Sequence, residues 1–552
     1  MPTVARRIAE TLSAHLTDVF GVMGNGNAYL LDALDDTPAR YTALRHEAGA
    51  VAAADAYFRT SGRIAAATAT YGAGFSNTVT PLAEAVQAHT PLVLVVGDAP
   101  TTGARPWDVD QTAIAAAVGA RTFTVSRSDA ATTTRAALEH ALNHRTAVVL
   151  AIPYDLAGAE ASDADDDAER PLRLAPALHP APEPLERAAE ALRGARRPLI
   201  LVGRGAWLAG AGPALDALAD RLGALTTSSA LGRGLLSPGS DIGVAGGFGQ
   251  DEAMRLAAEA DVVVAAGAGL NQFTTRFGFL FGESATVIQL DVADTATNPR
   301  VDCFVTGDAR LTAEALLDRL GDAPSTGWRD SVGDLAGLHR REPGDVAAPD
   351  GLLDPRSLTA RLERALPAER TVVTDGGHFL GWVNTYLTVS APDRFAMVGT
   401  AYQTIGLGLP SMVGAAAARP DELTVLCTGD GGGLMALADL ESTIRRVRRG
   451  LIVVYNDAAY GAEVHLYGLA GFAEDPMLIP AADFAGMARS LGARASTVAS
   501  LDDLAEVETW LADGAEGVFL LDCRVSRSIR APYQDEIIAQ NGTLFEAASV
   551  SA

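Results

Sequence analysis

Short, nearly continuous apolar runs recur along the chain, each closed by glycine or a small polar residue. They include Ile64–Thr70, Pro91–Gly97 and Ala147–Ile152, then Leu199–Val202, Asp261–Ala266 and Thr286–Asp291. A last group holds Thr371–Thr374, Thr424–Cys427, Leu451–Tyr455 and Gly517–Asp522. Runs without polar alternation are what strands covered on both faces look like. Helical stretches such as Ala5–Ala14, Leu30–Leu34 and the alanine-rich Arg45–Tyr57 lie between strands, the first strand being Asp18–Val22. Strand and helix in alternation predict an α/β fold with parallel sheets.

The pattern breaks twice. Residues 157–170 read AGAEASDADDDAER, and prolines follow at Pro180, Pro182 and Pro184. This acidic stretch, poor in large apolar groups, predicts an exposed connector. A second connector runs from about Asp330 to Pro349. At 552 residues the chain is too long for one core. Three domains are expected, over 1–160, 185–325 and 355–540. The first and third share a layout, which suits a ligand held between two related domains.

One stretch carries the most chemistry. From Thr428 the chain reads TGDGGG, then a helix, then the strand Leu451–Tyr455 ending in Asn456-Asp457. Neighbouring strands of a parallel sheet end together at its carboxyl edge, so Asp430 and Asp457 would meet there. Two hard oxygen ligands beside a glycine loop with free N–H groups suit Mg²⁺ and a diphosphate.

Composition narrows the classes. Apolar residues make up 48% of the chain, enough for well-packed interiors, and the net charge of −25 argues against nucleic-acid binding. Every cationic side chain is arginine, so a lysine Schiff base is excluded. Cys303, Cys427 and Cys523 form neither a metal pattern nor a disulfide framework, and a reducing, cytoplasmic setting is expected. The N-terminus has no apolar core of a signal peptide, and no apolar run reaches a membrane span.

The GDG motif followed by a paired Asn-Asp resembles the thiamine-diphosphate motif. From Val4 to about Val525 the chain resembles the family of acetolactate synthases and 2-oxo-acid decarboxylases. The resemblance implies a pyrimidine-binding, a central and a diphosphate-binding domain. It implies Asp430, Asp457 and the carbonyl of Ala459 as Mg²⁺ ligands, with Asp457 standing where the family has asparagine. Gly376 and Gly377, after the strand carrying Asp375, and Gly431 and Gly432 would offer N–H groups to the diphosphate; His378 would donate to it or, as the alternative, be a surface histidine. Glu47 would give a proton to the pyrimidine ring, so that the 4′-amine can act on the thiazolium C2. Ile405 would wedge the cofactor into a bent shape, and the Gln403 carbonyl would accept from the 4′-amine. The middle domain holds FAD in the acetolactate synthases, and FAD is left open here. The GRGAWLAGAG stretch after Val202 is only a weak dinucleotide fingerprint and reads first as a packing turn.

Substrate-side residues depart from both branches of the family. Gln111 matches its cleft glutamine, preceded by Asp110 where the synthases have phenylalanine. Tyr71 and Phe75 are expected to reshape the pocket beside the Gly72-Ala73-Gly74 turn. Glu463 matches an acid of the decarboxylases, with His465 two residues on. The resemblance therefore implies cleavage of a 2-oxo acid with acyl transfer to an acceptor. A non-ligating decarboxylase or C–C lyase is the alternative, and a non-catalytic paralogue a third. A homodimer or homotetramer is expected, with the site between subunits. The alanine-rich faces Glu47–Tyr57 and Leu409–Ala418 agree with such a boundary and equally with an ordinary core.

Overall fold

The computed structural model describes residues 2–162, 168–321 and 325–550. Three parallel six-stranded sheets follow one another along the chain. The first holds β1 (Asp18–Gly21), β2 (Arg40–Ala43), β3 (Ala65–Ala69), β4 (Leu92–Asp98), β5 (Arg121–Thr124) and β6 (Ala147–Pro153). The second holds β7 (Pro198–Val202), β8 (Leu225–Ser228), β9 (Asp241–Val244), β10 (Val262–Ala266), β11 (Thr286–Asp291) and β12 (Cys303–Thr306). The third holds β13 (Arg370–Thr374), β14 (Phe395–Met397), β15 (Leu423–Gly429), β16 (Arg449–Asn456), β17 (Arg494–Val498) and β18 (Gly517–Arg524). Central strands such as β3, β7, β10 and β13 are buried along their whole length, because helices cover both faces.

Sheet order identifies where ligands can enter. The first sheet runs β2-β1-β3-β4-β6-β5 and the third β14-β13-β15-β16-β18-β17, the same order. The middle sheet runs β12-β11-β10-β7-β8-β9. Order reverses between β13 and β15 in the third sheet and between β7 and β10 in the middle one. At such points the loops leaving two strands diverge to opposite faces and open a crevice.

The first and third domains are joined by two helices, Glu47–Ser61 and Gly408–Ala418. Ala50 to Ala54, Ala56 and Tyr57 are fully buried, as a helix without a solvent face requires. Val413 packs into the core of the first domain, and Ala52 and Ala56 meet Val398 and Leu407. A Cβ on Gly414 would overlap the Ala53 carbonyl, and one on Gly49 would overlap the Asp439 carboxylate. The two small-residue faces therefore close on each other within one chain. Close contact at Gly414 is thus made inside one subunit, as the ordinary-core reading of these faces expects.

The connectors are shorter than their composition predicts. Val4 and Ala5 donate N–H groups to the carbonyls of Ala159 and Ala157 at 2.9 and 3.1 Å. Ala157 and Ala161 are buried. The chain stays on the first domain to Ser162, and the acidic run 163–167 lies outside the described residues. Within the second connector, Leu338 packs into the middle-domain core. All three cysteines are free and buried. Among the described residues no helix is long and apolar enough to cross a membrane.

Gly414→Val should destabilise the protein by about 2 kcal/mol or more, because a packed helix pair cannot admit the added volume. Urea unfolding with tryptophan fluorescence measures this. An unchanged midpoint would show that the helices do not need that approach.

Candidate active site

The β13/β15 crevice is built by glycine and aspartate. β15 pairs with β16 so that Gly429 lies opposite Tyr455, which sets Asp430 and Asp457 at adjacent strand ends. Both acids line one large cavity of about 1390 Å³, together with Gly376, Gly377, His378, Gln403, Ile405, Gly431, Gly432, Ala459 and Glu463. The sequence thus brings every diphosphate-side and metal candidate to one place.

The acids are held in an unusual state. Asp430 is 3% exposed, and its Oδ2 is buried with no hydrogen-bond partner. Burial raises the Asp430 pKa, and burial with the charge of Asp430 raises that of Asp457. A buried carboxylate oxygen without a donor is costly. A divalent cation satisfies it and removes the mutual repulsion, so the donor set fits Mg²⁺. Among the described residues no group of three or more His, Cys, Asp and Glu side chains gathers to hold a metal. The remaining ligands would be backbone, such as the Ala459 carbonyl, and oxygens of a bound anion.

Asp375, the residue that follows β13, is the hub of the cradle. It is fully buried and accepts from the N–H groups of Gly376 at 2.8 Å, Gly406 at 3.0 Å and Gly408 at 3.2 Å. The Thr428 hydroxyl donates to it at 3.3 Å. One carboxylate thereby fixes the ends of β13 and β15 and the turn that carries Ile405. A Cβ on Gly432 would lie 2.7 Å from the Asp375 Oδ2, and one on Gly376 would lie 2.8 Å from the Ile405 side chain. Only glycine lets backbone N–H groups line this cradle.

Several expectations need correction. His378 is 5% exposed, its Nε2 accepts from the Ala531 N–H at 2.9 Å, and burial lowers its pKa to about 3. It is a neutral ring that lines the cavity; with Nε2 accepting from the C-terminal segment its proton lies on Nδ1, so any donation comes from an uncharged ring. His465 stacks on it at 4.5 Å between centroids and lies outside the cavity lining; burial lowers its pKa too. Phe75 does not enter a pocket, because it is fully buried in the first-domain core. Asp110 is exposed and accepts from the Ala113 N–H at 2.9 Å, capping the helix Gln111–Ala117. Tyr533 was not foreseen; its hydroxyl donates to the carbonyls of Gly377 and His378 at 3.2 and 3.3 Å. Nothing in its local sequence distinguishes it from a helix residue.

The remaining candidates sit at the carboxyl edge of the first sheet. Glu47 opens its helix, and its Oε2 accepts from Asn77 Nδ2 at 3.0 Å. Asp439 receives the Arg45 N–H at 2.8 Å and so ties this helix start to the helix Ala438–Arg446. Gln111 is buried; it accepts from the Gly72 N–H at 2.6 Å and donates to the Gly97 carbonyl at 2.9 Å. Glu47, Asp110 and Gln111 do not line the cavity that holds Asp430. In the middle domain, Gly203 and Gly205 press against the Gly267 loop, so these glycines serve loop packing.

Comparison with known proteins supplies the context. Family models described as thiamine pyrophosphate enzyme match residues 2–118 (N-terminal TPP binding domain), 185–316 (central domain) and 375–523 (C-terminal TPP binding domain). The chain is 30% identical to a protein named "Probable 2-ketoarginine decarboxylase" of Pseudomonas aeruginosa, over 95% of this chain and 94% of that one. It is 26% identical to a sulfoacetaldehyde acetyltransferase of Castellaniella defragrans, over 99% and 96%. It is 28% identical to the acetolactate synthase isozyme 2 large subunit of Escherichia coli, over 91% and 92%.

Asp375→Ala strips the acceptor from three buried N–H groups, at about 1–3 kcal/mol for each group left unpaired. Thermal unfolding of the variant without any ligand should show a loss of about 3 kcal/mol or more. A loss below about 1 kcal/mol would remove Asp375 from its place as hub.

Proposed function

The chain belongs to the thiamine pyrophosphate enzyme family, and from that premise we propose that it cleaves a 2-oxo acid and transfers the acyl group to an acceptor, as acetolactate synthases do. The observation that carries this is the buried, unpartnered Asp430 carboxylate oxygen, beside Asp457, at a crevice of glycine N–H groups. When bound, thiamine diphosphate supplies an acidic thiazolium carbon that adds to the oxo acid and accepts its electrons as CO₂ leaves. Asp430, Asp457 and the Ala459 carbonyl would hold Mg²⁺ against the diphosphate. N–H groups of Gly377, Gly431 and Gly432 would take its remaining oxygens, while the Gly376 N–H is already held by Asp375. Ile405 would support the ring system from below, and the Gln403 carbonyl would accept from the 4′-amine. Glu47 would give its proton to the pyrimidine nitrogen.

The two groups of candidates imply a second copy. A Glu47 edge that does not line the Asp430 cavity of its own chain completes a site when the first domain of one subunit faces the third domain of another. The active unit is then a homodimer or a multiple of it. A non-ligating decarboxylase is favoured by one observation: Glu463 is exposed and lines the cavity, a free acid that could protonate the acyl group instead. Similarity to a protein named as a 2-ketoarginine decarboxylase points the same way. The matched family descriptions name thiamine pyrophosphate and no flavin, so FAD has no support in them.

Incubation with Mg²⁺, thiamine diphosphate and a panel of 2-oxo acids should release CO₂ and, with an acceptor present, yield a ligated product. An aldehyde as sole product selects the decarboxylase, and no turnover of any oxo acid refutes both. Glu47→Gln should lower the rate by about 10²-fold or more, because an amide cannot donate that proton. Mixed with Asp430→Ala, it should regain activity as subunits exchange, since each mixed dimer holds one intact site. Confirmed exchange without recovered activity would contradict a shared site.

A further inference from the structure

A buried charged cluster lies beside the cavity and is not explained by its core. Arg59 is 2% exposed, and Asp55 and Glu84 are both fully buried. Arg59 donates to the two oxygens of Asp55 at 2.6 and 2.9 Å and to the Glu84 Oε1 at 2.9 Å. Burying three charges carries a large desolvation cost, repaid only when geometry is good and further hydrogen bonds satisfy the remaining polar atoms. What the cluster holds lies in the third domain. The Arg59 Nη1 donates to the Met397 carbonyl at 2.6 Å, and the Glu84 Oε2 accepts from the Tyr402 N–H at 2.7 Å. The next residue, Gln403, has φ of 61°, in the left-handed region that non-glycine residues disfavour. Thr404 then donates its N–H to the Gly399 carbonyl at 2.8 Å, closing the turn ahead of Ile405.

We propose that Glu84 is a positioning residue: through the Tyr402 N–H it keeps Gln403 left-handed and so aims the Gln403 carbonyl into the cavity. The inference rests on the reading above, in which that carbonyl accepts from the 4′-amine. Freed from Glu84, residue 403 relaxes to negative φ and its carbonyl swings away. The first domain thus sets the geometry of a third-domain turn within the same chain, independently of what a second subunit contributes through Glu47.

Glu84→Gln separates the two bonds of this side chain. A guanidinium only donates, so the amide oxygen stays on Arg59 and the amide nitrogen, itself a donor, meets the Tyr402 N–H. The readout is deuterium exchange at C2 of thiamine diphosphate bound with Mg²⁺, followed by acid quench and NMR. Exchange should slow by at least about tenfold, as displacement of a group at the reacting centre does. Cofactor should remain bound, and the KM for the oxo acid should stay within about twofold. Adding Gln403→Gly removes the penalty on positive φ and should return exchange to within about threefold of wild type. A merely structural Glu84 would show no such rescue. Wild-type exchange in Glu84→Gln, or a slow double variant, overturns the proposal. If Glu84→Gln does not fold, Gln403→Val decides: a β-branched residue resists this φ, so exchange slows with Glu84 intact, and wild-type exchange overturns the proposal. Failure of the wild-type protein to bind the cofactor at all would overturn the functional reading together with the inference.

Discussion

Backbone-distance contact between the helices Glu47–Ser61 and Gly408–Ala418 governs the rest of the molecule. Gly49 and Gly414 leave no room for a Cβ, so the first and third domains meet as one packed body. That contact fixes both ends of the Glu47 helix. At its start, Asp439 holds the Arg45 N–H; near its end, Arg59 holds the Met397 carbonyl. The helix therefore transmits position from the first sheet to the turn that carries Gln403 and Ile405. It does so through hydrogen bonds to backbone, which tolerate little displacement.

The cradle solves an electrostatic problem by geometry. Asp375, Asp430 and Asp457 are all acids whose pKa burial raises. An anion could not approach such a site unaided. Asp375 is neutralised internally by its ring of N–H donors, which leaves it a structural hub. Asp430 has no such partner for its Oδ2 and keeps its need for a cation. A divalent ion reconciles both carboxylates with a diphosphate, and the chain supplies the other donors as backbone N–H groups rather than as side-chain cations.

The parts of this arrangement that depend on local pattern were visible in the sequence. Runs such as Leu451–Tyr455 and Thr424–Cys427 announce buried parallel strands, and GDGGG with Asn456-Asp457 announces the crevice. Short edge strands were not visible: Arg494–Val498 buries only Val498 and is mostly polar, and Phe395–Met397 has only three residues. Long-range pairing also escapes a local reading. Nothing near Glu84 points to Tyr402, and nothing near Asp375 points to Gly406. His378 follows two glycines, yet the partner that fixes its ring, the Ala531 N–H, lies far along the chain. The alanine-rich faces were legible as close-packing surfaces but not as belonging to one subunit or two, since composition reports how near a partner comes and not whose it is.

The central claim is that Asp430 and Asp457 bind a diphosphate cofactor through a divalent cation. Calorimetric titration of thiamine diphosphate into metal-stripped protein, with and without Mg²⁺, tests it most directly. Saturable binding of one cofactor per chain that appears only with Mg²⁺ is the predicted result. No binding with Mg²⁺ present, or equally tight binding in a chelator, would contradict it.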